Sequence, residues 1–135
     1  MQQEISFFLI DDDIDDREIF ILALKDINSS IKYTTAKDGA EALDFIENNE
    51  NFIPNFIFLD LNMPRVSGRE CLVELRKITR LQKIPIYIYT TSSSDRDKLE
   101  LLTIGATGFI TKPYTVKKLV EILSQIILTT TGESN

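Results

Sequence analysis

Four short apolar runs in this chain each end on a side chain that can carry a charge or donate a hydrogen bond. Ile5 to Ile10 runs into Asp11-Asp12, Phe56 to Leu59 into Asp60, Ile86 to Tyr89 into Thr90, and Phe109 to Thr111 into Lys112. Runs of this length read as buried parallel strands, and in an open α/β sheet the carboxyl ends of the strands form the edge where ligands bind. Three carboxylates brought to one edge repel one another unless a cation holds them. A donor set of oxygens, without histidine or cysteine, selects a hard ion, and magnesium is the expected one. A carboxylate that also faces an ammonium and a hydroxyl has the parts of a phosphoryl acceptor. Its oxygen attacks in line, while the metal, Lys112 and Thr90 stabilise the charge on the equatorial oxygens. Taken alone, Asp60 serves equally well as a turn-capping carboxylate ahead of Pro64.

The elements that must position these residues follow in order along the chain. Behind the acidic run Asp11 to Asp16, residues Ile19, Phe20, Ala23, Leu24 and Ile27 recur at helical spacing, with the aspartates at the positive end of the helix. Ile31 to Ala36 is a short β-branched strand, Asp38-Gly39 a turn signal, and Ala42, Leu43 and Ile46 mark a second helix that dissolves at Asn48 to Asn51. After Pro64 a loop at Arg65 to Gly68 leads to a third helix with Cys71, Leu72, Leu75 and Ile78 on its apolar stripe. The hydroxyl run Thr90 to Ser94 caps a fourth helix marked by Leu99, Leu102 and Ile104, which Gly105-Ala106 closes. Lys112-Pro113-Tyr114 turns the chain, and Thr115 caps a fifth helix with Val116, Leu119, Val120, Leu123, Ile126 and Ile127 inward. Five strands alternating with five helices through short connections predict an α/β fold, a flavodoxin-like doubly wound parallel sheet of order 2-1-3-4-5.

Size and composition narrow the rest. The 135 residues are expected to form a single domain, with a core over about residues 5–128 and a polar, frayed tail at 129–135. No apolar stretch approaches the roughly 20 residues that span a bilayer, and no signal segment is visible, so a cytoplasmic address without membrane contact is expected. A net charge of −6 argues against sequence-independent nucleic-acid binding, which depends on basic residues neutralising phosphates. The chain has no histidine, so it has no Ser-His-Asp triad, and any phosphohistidine that serves it belongs to another molecule. Its one cysteine, Cys71, reads as a small core hydrophobe.

In sequence, Leu9-Ile10-Asp11-Asp12-Asp13, Phe58 to Pro64, Gly68, Pro85, Tyr89-Thr90-Thr91, Gly105-Ala106 and Phe109-Ile110-Thr111-Lys112-Pro113 resemble the receiver domains of two-component response regulators, the CheY-like family. The likeness covers nearly the whole chain and suggests a stand-alone member. It implies that Asp60 is the phosphorylated aspartate, that Asp12, Asp60 and the backbone carbonyl of Asn62 bind Mg2+, and that Asp11 does so through water. It implies further that Thr90 hydrogen-bonds the phosphoryl group, that Lys112 pairs with it, and that the ring of Phe109 follows Thr90 as a switch. A cis peptide at Lys112-Pro113 is frequent in the family. Thr91 stands where many members carry alanine or glycine and so narrows access to the site, while Asn62 and Ser92 fall at positions that tune the lifetime of the acyl phosphate. The implied partners are a histidine kinase or a histidine phosphotransfer protein, and a downstream protein target. The implied state is a monomer, or a weak dimer through the face of the fourth helix, fifth strand and fifth helix. On this reading the chain is a signalling phosphoacceptor rather than an enzyme, catalysing only its own phosphorylation and dephosphorylation.

Other readings remain beside it. Asp11-Asp12-Asp13 also imitates the Asp-x-Asp start of a haloacid-dehalogenase-type phosphohydrolase, although nothing acidic follows Lys112 until Glu121. A pseudo-receiver that only binds partners is the other alternative. A calcium loop fits poorly, since Asp16 stands where the loop needs glycine and Leu22 where it needs glutamate. Within the acidic run Asp11 and Asp12 are the candidate ligands, and Asp13, Asp15 and Asp16 are read as helix-start charges.

Overall fold

A strand buried on both faces has no solvent side, which is why its sequence is continuously apolar rather than alternating. In the computed structural model, which describes residues 4–91 and 94–131, all four residues of the run Phe56–Leu59 are buried. The strands are β1 (Ser6–Ile10), β2 (Lys32–Ala36), β3 (Phe56–Leu59), β4 (Ile86–Thr90) and β5 (Gly108–Thr111). They alternate with α1 (Ile14–Ile27), α2 (Gly39–Asn48), α3 (Gly68–Arg76), α4 (Asp95–Ile104) and α5 (Val116–Thr131). All pairings are parallel and the sheet order is β2-β1-β3-β4-β5, the flavodoxin-like arrangement expected from the sequence.

Successive side chains of the central strands feed opposite cores. Phe8, Ile10, Ile57 and Leu59 pack with Ala42, Ile46, Cys71, Leu72 and Leu75 of α2 and α3. Phe7, Leu9, Phe56 and Phe58 pack instead with Phe20 and Leu24 of α1 and with Leu119 and Leu123 of α5. Each fully buried Phe or Leu contributes about 2 kcal/mol of transfer free energy. Cys71 is completely buried in the first of these layers. Burial, with the nearby Asp38 and Glu74 charges, pushes its thiol pKa up to about 12.

Local signals differ from their sequence reading in a few places. Asp38 is not simply a turn residue: it is the N-cap of α2, accepting from the Glu41 amide. Helix α3 stops at Arg76, short of Ile78, and a single 3-10 turn at Thr79–Leu81 follows. Of the residues that marked α4, Leu99 and Leu102 stand 68% and 46% exposed, whereas Leu101 is buried. Helix α5 continues through Thr131, and the Thr129 hydroxyl donates back to the Gln125 carbonyl at 2.8 Å within it. Every peptide bond among the described residues is trans, so Lys112-Pro113 carries no cis bond. Among the described residues, no helix is long and apolar enough to cross a membrane.

One close approach sets the path of the chain after β3. The Gly68 amide donates to the Leu61 carbonyl at 3.0 Å, and a Cβ on Gly68 would lie 2.3 Å from the Asp60 carbonyl oxygen. Ser67 and Glu70 then form a reciprocal capping box that starts α3. Gly68→Ala is therefore expected to lower unfolding stability by roughly 3 kcal/mol, since backbone rather than a flexible side chain must yield. Urea denaturation measures this. A loss below about 1 kcal/mol, the low end of overpacking costs, would show that the loop relaxes freely.

Candidate functional site

The parallel register brings the carboxyl ends of β1, β3, β4 and β5 to one edge. The Asp60 amide donates to the Ile10 carbonyl at 2.9 Å, and the Lys112 amide donates to the Thr90 carbonyl at 2.8 Å. Asp11 and Asp12 directly follow β1, Asp60 follows β3, Thr90 is the last residue of β4, and Lys112 follows β5. Carboxylate oxygens of Asp11, Asp12 and Asp60 lie within 4.8 Å of one another. Asp11 is fully buried, Asp60 nearly so at 5%, and Asp12 is exposed, so the cluster opens to solvent on one side only.

Lys112 brings a cation to the side chains of this cluster. Its Nζ lies 2.9 Å from Asp11 Oδ2 and 3.7 Å from Asp60 Oδ2. Burial opposes its charge, but the hydrogen bond to Asp16 and the contact with the Asp11 carboxylate more than offset that, and its pKa stands above the ordinary lysine value. Burial pushes the Asp60 carboxyl up to about 7, and the Asp11 charge pushes the same way; Lys112 compensates only in part. Asp11 is likewise raised, first by burial. Its Oδ1 accepts the Asp13 amide at 3.0 Å, while Oδ2 has the Lys112 ion pair but no aligned hydrogen bond. A buried oxygen with an ion pair but no aligned hydrogen bond, beside two more carboxylates, fits a divalent cation with hard oxygen ligands. Asp11, Asp12 and Asp60 are the residues whose oxygens converge there to hold it.

The remaining sequence-predicted residues have definite places. Thr90 is buried at the edge, and Thr91 is exposed in the turn beyond it. Asn62 is exposed, and its amide reaches Asp60 Oδ1 at 3.4 Å. Phe109 is half-buried and pairs in register with Ile88, so it shares a sheet face with Thr90. Ser92 lies outside the described residues.

Three features escaped the sequence reading. Asp16 is not only a helix-start charge, because its Oδ2 accepts from Lys112 Nζ at 2.8 Å. The buried Tyr89 ring backs the same ammonium, with the centroid 5.4 Å away. Arg65, with a φ of 64°, is the only non-glycine residue at positive φ among the described residues, and its guanidinium pairs with the buried Asp38 carboxylate. The Glu41 amide and Arg65 hold the Asp38 pKa below its usual range despite burial. Val66 packs so near Gly39 that a Cβ there would lie 2.9 Å from it, and the loop after Asp60 is thereby seated on the start of α2.

The chain matches the family described as the response regulator receiver domain over residues 7–124. It belongs to that family. The receiver domain is 30% identical over 118 residues to the sensor histidine kinase CheAY of Helicobacter pylori, covering 87% of this chain and 14% of that protein. It is 28% identical over 122 residues to the response regulator Rcp1 of a Synechocystis strain, covering 87% of this chain and 83% of that one. The Mn2+-bound form of Rcp1 superposes with a TM-score of 0.78 at 27% identity, over 91% of each chain. The phosphorylated cyanobacterial phytochrome response regulator RcpA does so with a TM-score of 0.83 at 27% identity, over 93% of each chain. Against the curated relatives FilR2 and Rre1 the receiver domain spans 60% and 53% of the full lengths. Response regulators act with histidine kinases in two-component signalling, and receiver domains hold a divalent metal at an acidic pocket of this kind.

The shifted carboxylate makes a prediction of definite sign. The folded-state pKa of Asp60, about 7, lies above its usual 3.8, so the folded state binds that proton more tightly than the unfolded chain. Without divalent metal, Asp60's contribution to stability is then lost as pH rises from 3.8 through about 7. Urea unfolding should show the midpoint falling across that window, with added Mg2+ restoring it at neutral pH and doing little at the acid end.

Proposed function

We propose that this receiver domain takes a phosphoryl group onto Asp60 from a phosphohistidine of a partner histidine kinase or phosphotransfer protein. The observation that carries the proposal is the Asp60 carboxylate itself, buried at the strand edge with Lys112 Nζ at 3.7 Å and Asp11 and Asp12 around it. The similarity to a stretch of a sensor histidine kinase and the phosphorylated state named for RcpA support a phosphohistidine donor and an acyl phosphate product.

An Asp60 oxygen forms the new P–O bond as the P–N bond of the donor breaks, and the departing imidazole nitrogen keeps the electron pair and takes a proton. The Lys112 ammonium pairs with a phosphoryl oxygen, and the Thr90 hydroxyl donates to another. Asp12, Asp60 and the Asn62 carbonyl, with Asp11 through water, would hold a magnesium ion, which would supply further positive charge to those oxygens. Burial at the strand edge, with Asp60 only 5% exposed, limits the access of bulk water to the acceptor oxygen. Water attack on the same phosphorus returns Asp60 to its free form, at a rate to which Thr91, Asn62 and Ser92 are the neighbouring contributors.

Recruitment of the Thr90 hydroxyl to the phosphoryl group draws β4 inward, and Phe109 takes up the space on the shared face. The surface of α4, β5 and α5 then shifts between two populations that a partner protein or a second copy can discriminate. Intact mass after incubation with acetyl phosphate and Mg2+ tests the acceptor. One added phosphoryl group is expected in the parent and none in Asp60→Asn. Equal labelling of both, or none in the parent, would remove Asp60 from the role.

A further inference from the structure

Lys112 has three N–H donors and three carboxylates around it, and the shortest distance is to a residue outside the strand ends. Its Nζ stands 2.8 Å from Asp16 Oδ2, 2.9 Å from Asp11 Oδ2 and 3.7 Å from Asp60 Oδ2. The Tyr89 ring is also within reach at 5.4 Å, and the lysine side chain is only 9% exposed. Asp16 is itself fixed. It lies in the first turn of α1, where the Asp13 side chain accepts from the amides of Asp15 and Asp16.

We propose that Asp16 is a positioning residue for Lys112. By accepting one N–H it draws the ammonium, which also contacts Asp11, toward α1 and away from Asp60 at 3.7 Å, keeping the place of the divalent cation open and leaving one N–H for a phosphoryl group arriving at Asp60. The physical reason is competition. A lysine on a flexible four-carbon stem settles where the negative potential is deepest. Without Asp16, the carboxylates left within reach are Asp11 and Asp60, and ammonium and divalent cation then contend for the same oxygens. Asp16 gives the lysine a third partner that belongs to α1 and not to the metal pocket. This inference rests on the reading of Asp60 as the acceptor.

Isothermal titration of Mg2+ into the parent, Asp16→Ala, Lys112→Met and the double variant tests it as a double-mutant cycle. Asp16→Ala is expected to weaken Mg2+ binding about tenfold, the size of one lost charge-assisted hydrogen bond. In the Lys112→Met background the same change should cost no more than Asp15→Ala, which removes a charge from the same helical turn without touching the lysine. Asp16→Glu should regain most of the affinity. Acetyl phosphate labelling is expected to slow in Asp16→Ala by a similar factor. An equal loss with and without Lys112, or a loss no larger than that of Asp15→Ala, would reduce Asp16 to a long-range charge and overturn the proposal. A parent that stays unlabelled while the cycle behaves as expected would instead overturn the acceptor reading and leave the positioning role standing.

Discussion

Like charge gathered at one point is the constraint on which the rest of this molecule depends. Asp11, Asp12 and Asp60 present oxygens within 4.8 Å of one another. At such a separation each ionised pair repels by on the order of 3 kcal/mol, taking an effective dielectric of about 20. A protein keeps such an arrangement only where a rigid frame enforces it and a cation relieves it. Lys112 relieves part of it through Asp11 Oδ2, and the Asp60 carboxyl, pushed up to about 7, marks what remains.

The frame is the parallel sheet. Because β1 and β3 are hydrogen-bonded in register, with Ile10 opposite Leu59, the residues following them emerge side by side with no freedom to separate. The aromatic layer of Phe7, Phe20, Phe56, Phe58 and Tyr89, with ring centroids 4.9 to 6.0 Å apart, fixes those strands from one side. The loop that leaves Asp60 is fixed from the other. Gly68 brings it back against the Leu61 backbone, and Arg65 and Val66 seat it on the start of α2. Charge at the edge and packing beneath it are therefore parts of one design: the core is spent holding carboxylates where they would not go unaided.

Most of the frame and the strand-end residues could be read from the sequence, for a definite reason. A doubly buried strand declares itself by continuous apolar residues, and the residue after such a run is at the sheet edge whatever the loops do. Asp11, Asp60 and Thr90 were legible on that ground, whereas Lys112 follows a half-buried edge strand and was marked by that short strand together with Pro113. What stayed hidden depends on how helices and loops face one another across the fold. Asp16 meets Lys112 from a position 96 residues away in the chain, and in the sequence it is one more acid at a helix start. Arg65 and Asp38 are 27 residues apart, with the signal for one being a loop and for the other a turn. Helix α4 misled for a different reason: Leu99, Leu101, Leu102 and Ile104 offer more than one apolar stripe, and periodicity alone does not choose Leu101 as the buried one.

If crowded charge is the organising constraint, it must appear in the protonation of Asp60. A carbon-13 NMR titration of the Asp60 side-chain carboxyl, run with and without Mg2+, reads this directly. The structure predicts a midpoint of about 7 in the metal-free protein. It also predicts a shift toward acid on adding Mg2+, because the cation favours the charged form. A midpoint near the usual 3.8 in both conditions would contradict the account, since it would mean that the edge imposes no electrostatic cost for a cation or a lysine to relieve.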